Sequence, residues 1–272
     1  MSRGFTLVEL IIVIVITSIL AVGSVRFISF SAQGLVDTAS RSDLSSLSLI
    51  ASEKLKRQLV NALPNSIRTN SSGNCLEWIP ILAASEYVQA PFIGSPDTKT
   101  EVHLLTVSSE LPDEGRLVIY PSVNNADTLY DISRNPGRIS NNIAVPTSVS
   151  SDVSVYQFAS GAEFQFERTS PQKRIFIVDE PKSICQQGTQ LFLYESYGFN
   201  SSANSYPTGL PSTIPNRVIL ANKLVAGSIV FRYLPMSLRR NALVGFSMEF
   251  RNDEKVQETL LLTEEVQIRN VP

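Results

Sequence analysis

Few residues in this chain are of a type and in a place to do chemistry, and the first is Glu9. It is the single charge in the apolar run between Phe5 and Arg26. A carboxylate at the centre of a bilayer costs about 2.5–3.5 kcal/mol on insertion scales, and one nearer the end of a span costs less but still calls for a reason. Ahead of it a short head carrying Arg3 ends at Gly4, and Phe5 opens the run. A second candidate is the pair Cys75 and Cys185, able to form one disulfide or to stay as two buried thiols. The third is His103, the one histidine, inside a strand-like run where such a residue is ordinarily structural or superficial.

Other catalytic patterns are missing. There is no Gly-x-Ser-x-Gly elbow and no Gly-rich phosphate loop ending in Lys-Ser/Thr, which excludes an assembly ATPase. Asp113-Glu114, Asp179-Glu180 and Glu264-Glu265 lack the alternating spacing of a calcium loop and read as solvated turns or strand edges. No Cys-x-x-Cys or Cys/His spacing suggests zinc or redox work. The expectation is a protein with no catalytic residues, no metal and no cofactor. A net charge of −2 supplies no nucleic-acid footprint, and the adjacent pair Arg239 and Arg240 reads as a solvated turn.

The element that must position Glu9 is a helix. Residues 5–25 would measure about 32 Å at 1.5 Å per residue, enough to cross a bilayer core. Ile, Val and Leu dominate, and Thr6, Thr17, Ser18, Gly23 and Ser24 are small enough to be carried along. A secretory signal has its apolar core before the cleavage site. Here the basic head and the glycine precede the core, so the helix stays on the mature chain. Arg3 favours a cytoplasmic head with the C-terminal bulk across the membrane, although Arg26 opposes that vote.

The run Gly4-Phe5-Thr6-Leu7-Val8-Glu9-Leu10 resembles the class III signal of type IV prepilins residue for residue. The resemblance implies that a prepilin peptidase cuts between Gly4 and Phe5 and N-methylates Phe5. It also implies that Glu9 offsets the charged amine of Phe5 on a neighbouring subunit, an opposite-charge pairing made in the filament. One departure is Arg26, which stands four residues beyond Val22, where many major pilins carry proline. With Phe27 and Phe30 it reads as an interfacial anchor, leaving Gly23, Gly34 or residues 29–31 as the places where the helix can yield.

Past the span, Leu44, Leu47, Ala51, Leu55, Leu59 and Ala62 step by three and four, one face of a continuing helix that Pro64 ends. One helix from Phe5 to about Ala62 is therefore expected, its second half packing under a sheet. Beyond it, strand-type runs alternate with Pro/Gly/Asn turns. Strands are expected at 102–107, 116–120, 153–158, 163–167, 174–178, 190–194, 217–224, 228–233, 244–251 and 255–262, with a last run to Ile268. The segments 121–151 and 200–216 read as long loops, and the tyrosines and asparagines of 194–206 as a candidate sugar-binding surface. Export to an oxidising compartment favours the Cys75–Cys185 pairing.

These readings give an α+β fold similar to the type IV pilin fold: a long N-terminal α-helix, transmembrane in its first half, packed on a C-terminal antiparallel β-rich globular head. The expected division is 1–4 leader, 5–30 transmembrane and filament-core helix, 31–63 amphipathic continuation and 64–272 periplasmic head. The Leu63-Pro-Asn-Ser66, Cys75-Leu-Glu-Trp-Ile-Pro-Ile and Gln190-Leu-Phe-Leu-Tyr194 runs and the closing Glu265-Val-Gln-Ile-Arg-Asn-Val-Pro272 resemble MshO-like minor prepilins of mannose-sensitive haemagglutinin (MSHA) pili. That resemblance implies a minor pilin acting in priming or at the tip, inner-membrane insertion before assembly, and later display on the pilus. Its partners would be prepilin peptidase, the major and other minor pilins and the inner-membrane assembly platform, with no nucleic acid. A minor pseudopilin of type II secretion, or a tip adhesin for a receptor or glycan, shares the same features.

Overall fold

A computed structural model describes residues 6–106, 111–150, 152–201, 209–235, 241–252 and 258–268. The chain divides into two compact units, Met1–Leu47 and Ser48–Pro272.

Helix α1 (Leu7–Val60) runs without a break, including at Gly23 and Gly34. Its first part is rich in β-branched residues, which are weak helix formers in water. In lipid the balance reverses, because a helix satisfies every backbone group within the segment. No residue from 6 to 43 is buried within the chain. In the second unit the helix changes character, and Ala51, Leu55 and Leu59 are buried on one face. The helix stops at Val60, slightly before the expected Ala62. Ala62 bridges Pro80 and the Leu63 N–H donates to the Ile79 carbonyl at 2.8 Å, so pairing with a later segment replaces the final helical turn.

After α1 come β1 (Arg68–Thr69), β2 (Cys75–Trp78), β3 (Ile81–Gln89), β4 (Glu101–Leu105) and β5 (Arg116–Ile119). A single turn, α2 (Asp127–Tyr130), precedes β6 (Ala144–Val149), β7 (Val153–Phe158) and β8 (Arg174–Val178). There follow β9 (Lys182–Gln187), β10 (Gln190–Tyr194), β11 (Arg217–Ala221), β12 (Val230–Leu234), β13 (Ala242–Arg251) and β14 (Thr259–Ile268). They form three antiparallel sheets in the orders β1-β2-β9-β10-β11, β5-β8-β3-β4-β7-β6 and β12-β13-β14. A long apolar N-terminal helix followed by a β-rich antiparallel domain is the α+β arrangement of the type IV pilin fold.

One core of the head gathers Tyr87, Tyr156, Phe158, Phe164 and Phe166 with aliphatic residues of the six-stranded sheet. A second joins Leu63 and Ile79 to Val118, Leu129, Tyr130 and Ile139. The expected strand at 163–167 is corrected by this packing. Phe164 and Phe166 are buried, as the alternation requires, but the segment is irregular. The Phe164 N–H donates to the Lys99 carbonyl, Phe166 to Pro91 and Glu167 to Gly137, so no single neighbour supplies a ladder. The expected loop 121–151 contains α2 and β6. Strands β1, β2, β3 and β9 had not been expected as strands. In β9 the hydropathy is misleading, because Ser183 and Gln186 are buried alongside Cys185.

Candidate assembly segment and head scaffold

Thr6 stands just outside α1 and starts it. Its carbonyl accepts from the Leu10 N–H at 3.2 Å, and its Oγ1 accepts from the Glu9 N–H at 3.3 Å. Glu9 is thereby the third helical residue, with an acidic side chain in the first turn where the helix dipole favours it. The Thr6-x-x-Glu9 spacing is that of a capping box, a signal present in the sequence but not used in reading it. The carboxylate therefore has a local helical role as well as any role between subunits. Gly4 and Phe5, the expected cleavage and methylation residues, lie outside the described residues.

Beyond the cap the surface is apolar and open. Leu7, Ile19 and Phe30 are 74%, 67% and 81% exposed, and the same holds from Leu10 to Val36 for the other large side chains. Hydroxyls within the segment turn back on the helix. Thr17 Oγ1 donates to Val13, Ser18 Oγ to Ile14 and Thr38 Oγ1 to Gly34, each to a carbonyl within 2.8 Å. These three hydroxyls are thus satisfied without water, as a lipid-facing helix requires. Among the described residues α1 is the one helix long and apolar enough to cross a membrane.

In the head, Cys75 and Cys185 are direct cross-strand partners on β2 and β9 and form a disulfide. Two residues along, Glu77 and Ser183 face each other in the same register. This places them beside a polar node that sequence reasoning had missed. Arg68 and Glu77 are 6% and 3% exposed and form an ion pair. Arg68 also donates to Asp127 Oδ1 at 2.6 Å, to the Ser201 carbonyl at 3.1 Å and to the Asn200 carbonyl, and it lies 3.5 Å from the centre of the Tyr130 ring. Tyr197 donates to Glu77 Oε1 at 3.0 Å and meets Ser183 Oγ at 2.6 Å. Burial alone would push the guanidinium down, but the fields of Tyr130, Glu77 and Asp127 outweigh it and hold it above its ordinary value. The node ties β1, β2, β9, α2 and the chain after β10 into one scaffold. No local pattern marks it, because its members are scattered from 68 to 201.

The remaining candidates fall in ordinary places. His103 sits on β4 with Nε2 3.2 Å from Glu101 Oε1 on the same strand. Asp113 and Glu114 are exposed, the Asp179 carboxylate accepts from the Glu180 N–H, and Glu264 pairs with Lys56 at 3.2 Å. Among the described residues no three His, Cys, Asp or Glu side chains gather as a metal site. Of the described tyrosines in this loop, Tyr194 is buried and Tyr197 is engaged with Glu77. Residues 202–208 of that loop and the Arg239-Arg240 pair lie outside the described residues.

Residues 1–25 match the prokaryotic N-terminal methylation motif. No curated protein matches the chain, and no solved structure does. The motif and the long apolar helix point to membrane anchoring through the N-terminus. They imply processing by prepilin peptidase and assembly with other pilins. Together with the antiparallel head, the match supports a type IV pilin-like protein.

Proposed function

We propose that this chain is a minor pilin of a type IV pilus of the MSHA kind, acting in assembly priming or at the tip and supporting surface attachment. In this reading residues 1–4 are a leader and 5–30 the membrane and filament-core helix. Residues 31–63 continue the helix and 64–272 form a periplasmic head. Prepilin peptidase cuts after Gly4 and methylates Phe5, and the inner-membrane assembly platform extracts the helix into the filament. Glu9 then meets the amine of Phe5 on the neighbouring subunit.

The observation that carries the reading is the Gly4-to-Leu10 motif at the head of a helix whose large apolar side chains are left uncovered. Such a surface needs lipid or sister helices. A head of this size is difficult to repeat along a tightly packed shaft, which favours a subunit used sparingly. The test is the piliation of cells lacking the gene, imaged by electron microscopy, with the major pilin blotted in cell and sheared fractions. Loss of pili with major pilin retained in the membrane supports priming, and pili that persist without attachment support the tip. Normal pili with failed protein secretion would replace this reading by a type II secretion pseudopilin.

A further inference from the structure

Among the described residues, every sheet edge in the head is guarded along its length except one. An edge strand exposes a row of unpaired amides and carbonyls, and soluble domains blunt such rows by shortness, proline, charge or cover. Strand β1 has two residues, β6 carries Pro146, and β14 carries Glu264 and Glu265. Strand β5 is buried, with Val118 bridged to Ile139. On β12 the Phe231 N–H donates to the Gly73 carbonyl, and Arg232 is exposed.

Strand β11 has no proline and, among the described residues, no strand on its outer side, and its one charged residue, Arg217, stands at its first position. It reads Arg217-Val-Ile-Leu-Ala221, an apolar run of the sort found in strands covered on both faces, yet among the described residues it pairs with β10 alone. Val218 and Ile219 point to opposite faces and are 43% and 49% exposed. Beside them lies a groove of about 620 Å³ bounded by Phe192, Ile214, Arg217, Val218 and Ile219. The strand is composed like an interior one and placed like an outer one.

We infer that β11 is completed by an extended strand from a different subunit, which adds to the sheet edge and covers both apolar faces. This rests on the head standing among other subunits, as the assembly reading has it. The geometry commits the occupant to an extended conformation, since main-chain groups must meet main-chain groups. Charge sets its flanks. Lys54, Arg217 and Lys223 surround β11, and none of them meets a carboxylate among the described residues. Lys54 Nζ reaches the Leu220 carbonyl at 3.4 Å, holding an acceptor that an incoming N–H would take over. The partner strand therefore alternates apolar residues between carboxylates. A second copy is a poor occupant, because two-fold pairing of β11 would oppose one set of these cations to another.

The test is photo-crosslinking of the full chain in producing cells, with p-benzoylphenylalanine at position 219 and, as controls, at 147 on β6 and 261 on β14. The expected adduct at 219 exceeds both controls severalfold. It maps to an extended, Asp- or Glu-flanked segment of another membrane-anchored subunit. Adding Val218→Lys, at an exposed position, should remove the adduct while the melting temperature of the purified chain stays unchanged. Adducts no stronger than the controls, adducts to a second copy, or adducts to a helix overturn the proposal. The mass of the chain is read in the same samples. A chain that stays at precursor mass overturns the assembly reading, whereas a mature chain without the adduct overturns the edge proposal alone.

Discussion

The first unit of this chain and the second use apolar and polar residues in opposite ways. In residues 7–43 the side chains that ordinarily make a core are on the outside, and none of these residues is buried. Burying one such side chain is worth about 1.5–3 kcal/mol, so a bare row of them is stable only where lipid or another helix supplies the cover. In the head the inversion runs the other way. Leu55, Leu117 and Phe164 are enclosed, and with them the charged pair Arg68 and Glu77. Hydropathy marks the first unit as built for partners. The second, apart from the β11 edge, is built for itself, and its internal charges survive because each is met by several hydrogen-bonding groups.

The comparison can be broken most severely at the N-terminus. Gly4→Ala should leave the chain at precursor mass by mass spectrometry while the thermal melt of the head is unchanged; normal maturation would remove the cleavage assignment. Glu9→Gln is the sharper change, since glutamine still fits the capping-box spacing but carries no charge. Cleavage should proceed and incorporation into sheared pili should fall severalfold. Wild-type incorporation would leave the carboxylate with a helical role alone.

In the head the expected effects are on stability. Glu77→Ala leaves the buried Arg68 with Asp127 as its remaining carboxylate and should destabilise by about 3 kcal/mol in urea melts, the low end for a broken buried pair. Arg68→Met with Glu77→Leu should recover much of that loss, and no recovery would argue that the node matters through its bonds to Asp127, Asn200 and Ser201. Cys75→Ala opens a disulfide spanning 110 residues and should lower stability by about 2–5 kcal/mol. Non-reducing peptide maps should show the linked peptide in the parent, whereas two alkylatable thiols would contradict it.

The smallest effect is with pH. Burial, helped by Asp113, pushes the Tyr156 phenol up to about 12, and its hydroxyl donates to the Pro112 carbonyl at 2.6 Å. A phenol held protonated in the folded state contributes stability in full below its unfolded value of about 10. That contribution fades as pH rises toward 12. Tyr156→Phe should flatten the alkaline decline in melting temperature, and an unchanged slope would assign the decline elsewhere.

Legibility followed the range of the interactions. The span, its cap and its lone carboxylate rest on contacts within four residues, so spacing reveals them; the capping box was as readable as the glycine before it. The strands at 153–158, 174–178 and 190–194 were also readable, having apolar residues on a strand-like pattern. Strand β9 was not, because its buried face includes Ser183 and Gln186. Gln186 donates to the Gly188 and Val225 carbonyls and accepts from the Ile229 N–H. The 163–167 segment shows the converse error: alternation correctly marked which side chains are buried, while the backbone partners came from three separate places.

What the sequence by itself determined is the part whose physics is local: an unbroken apolar helix, its Thr6 cap, its Glu9 charge, and the motif ahead of it. The tertiary structure alone decided which head residues are interior. It set Cys75 opposite Cys185, joined five segments in the node that holds Arg68, and left β11 at an outer edge. The physical reason is that burial of a charge or a strand depends on what arrives across the sheet. Those arrivals are set by long-range pairing, which no window of neighbouring residues contains.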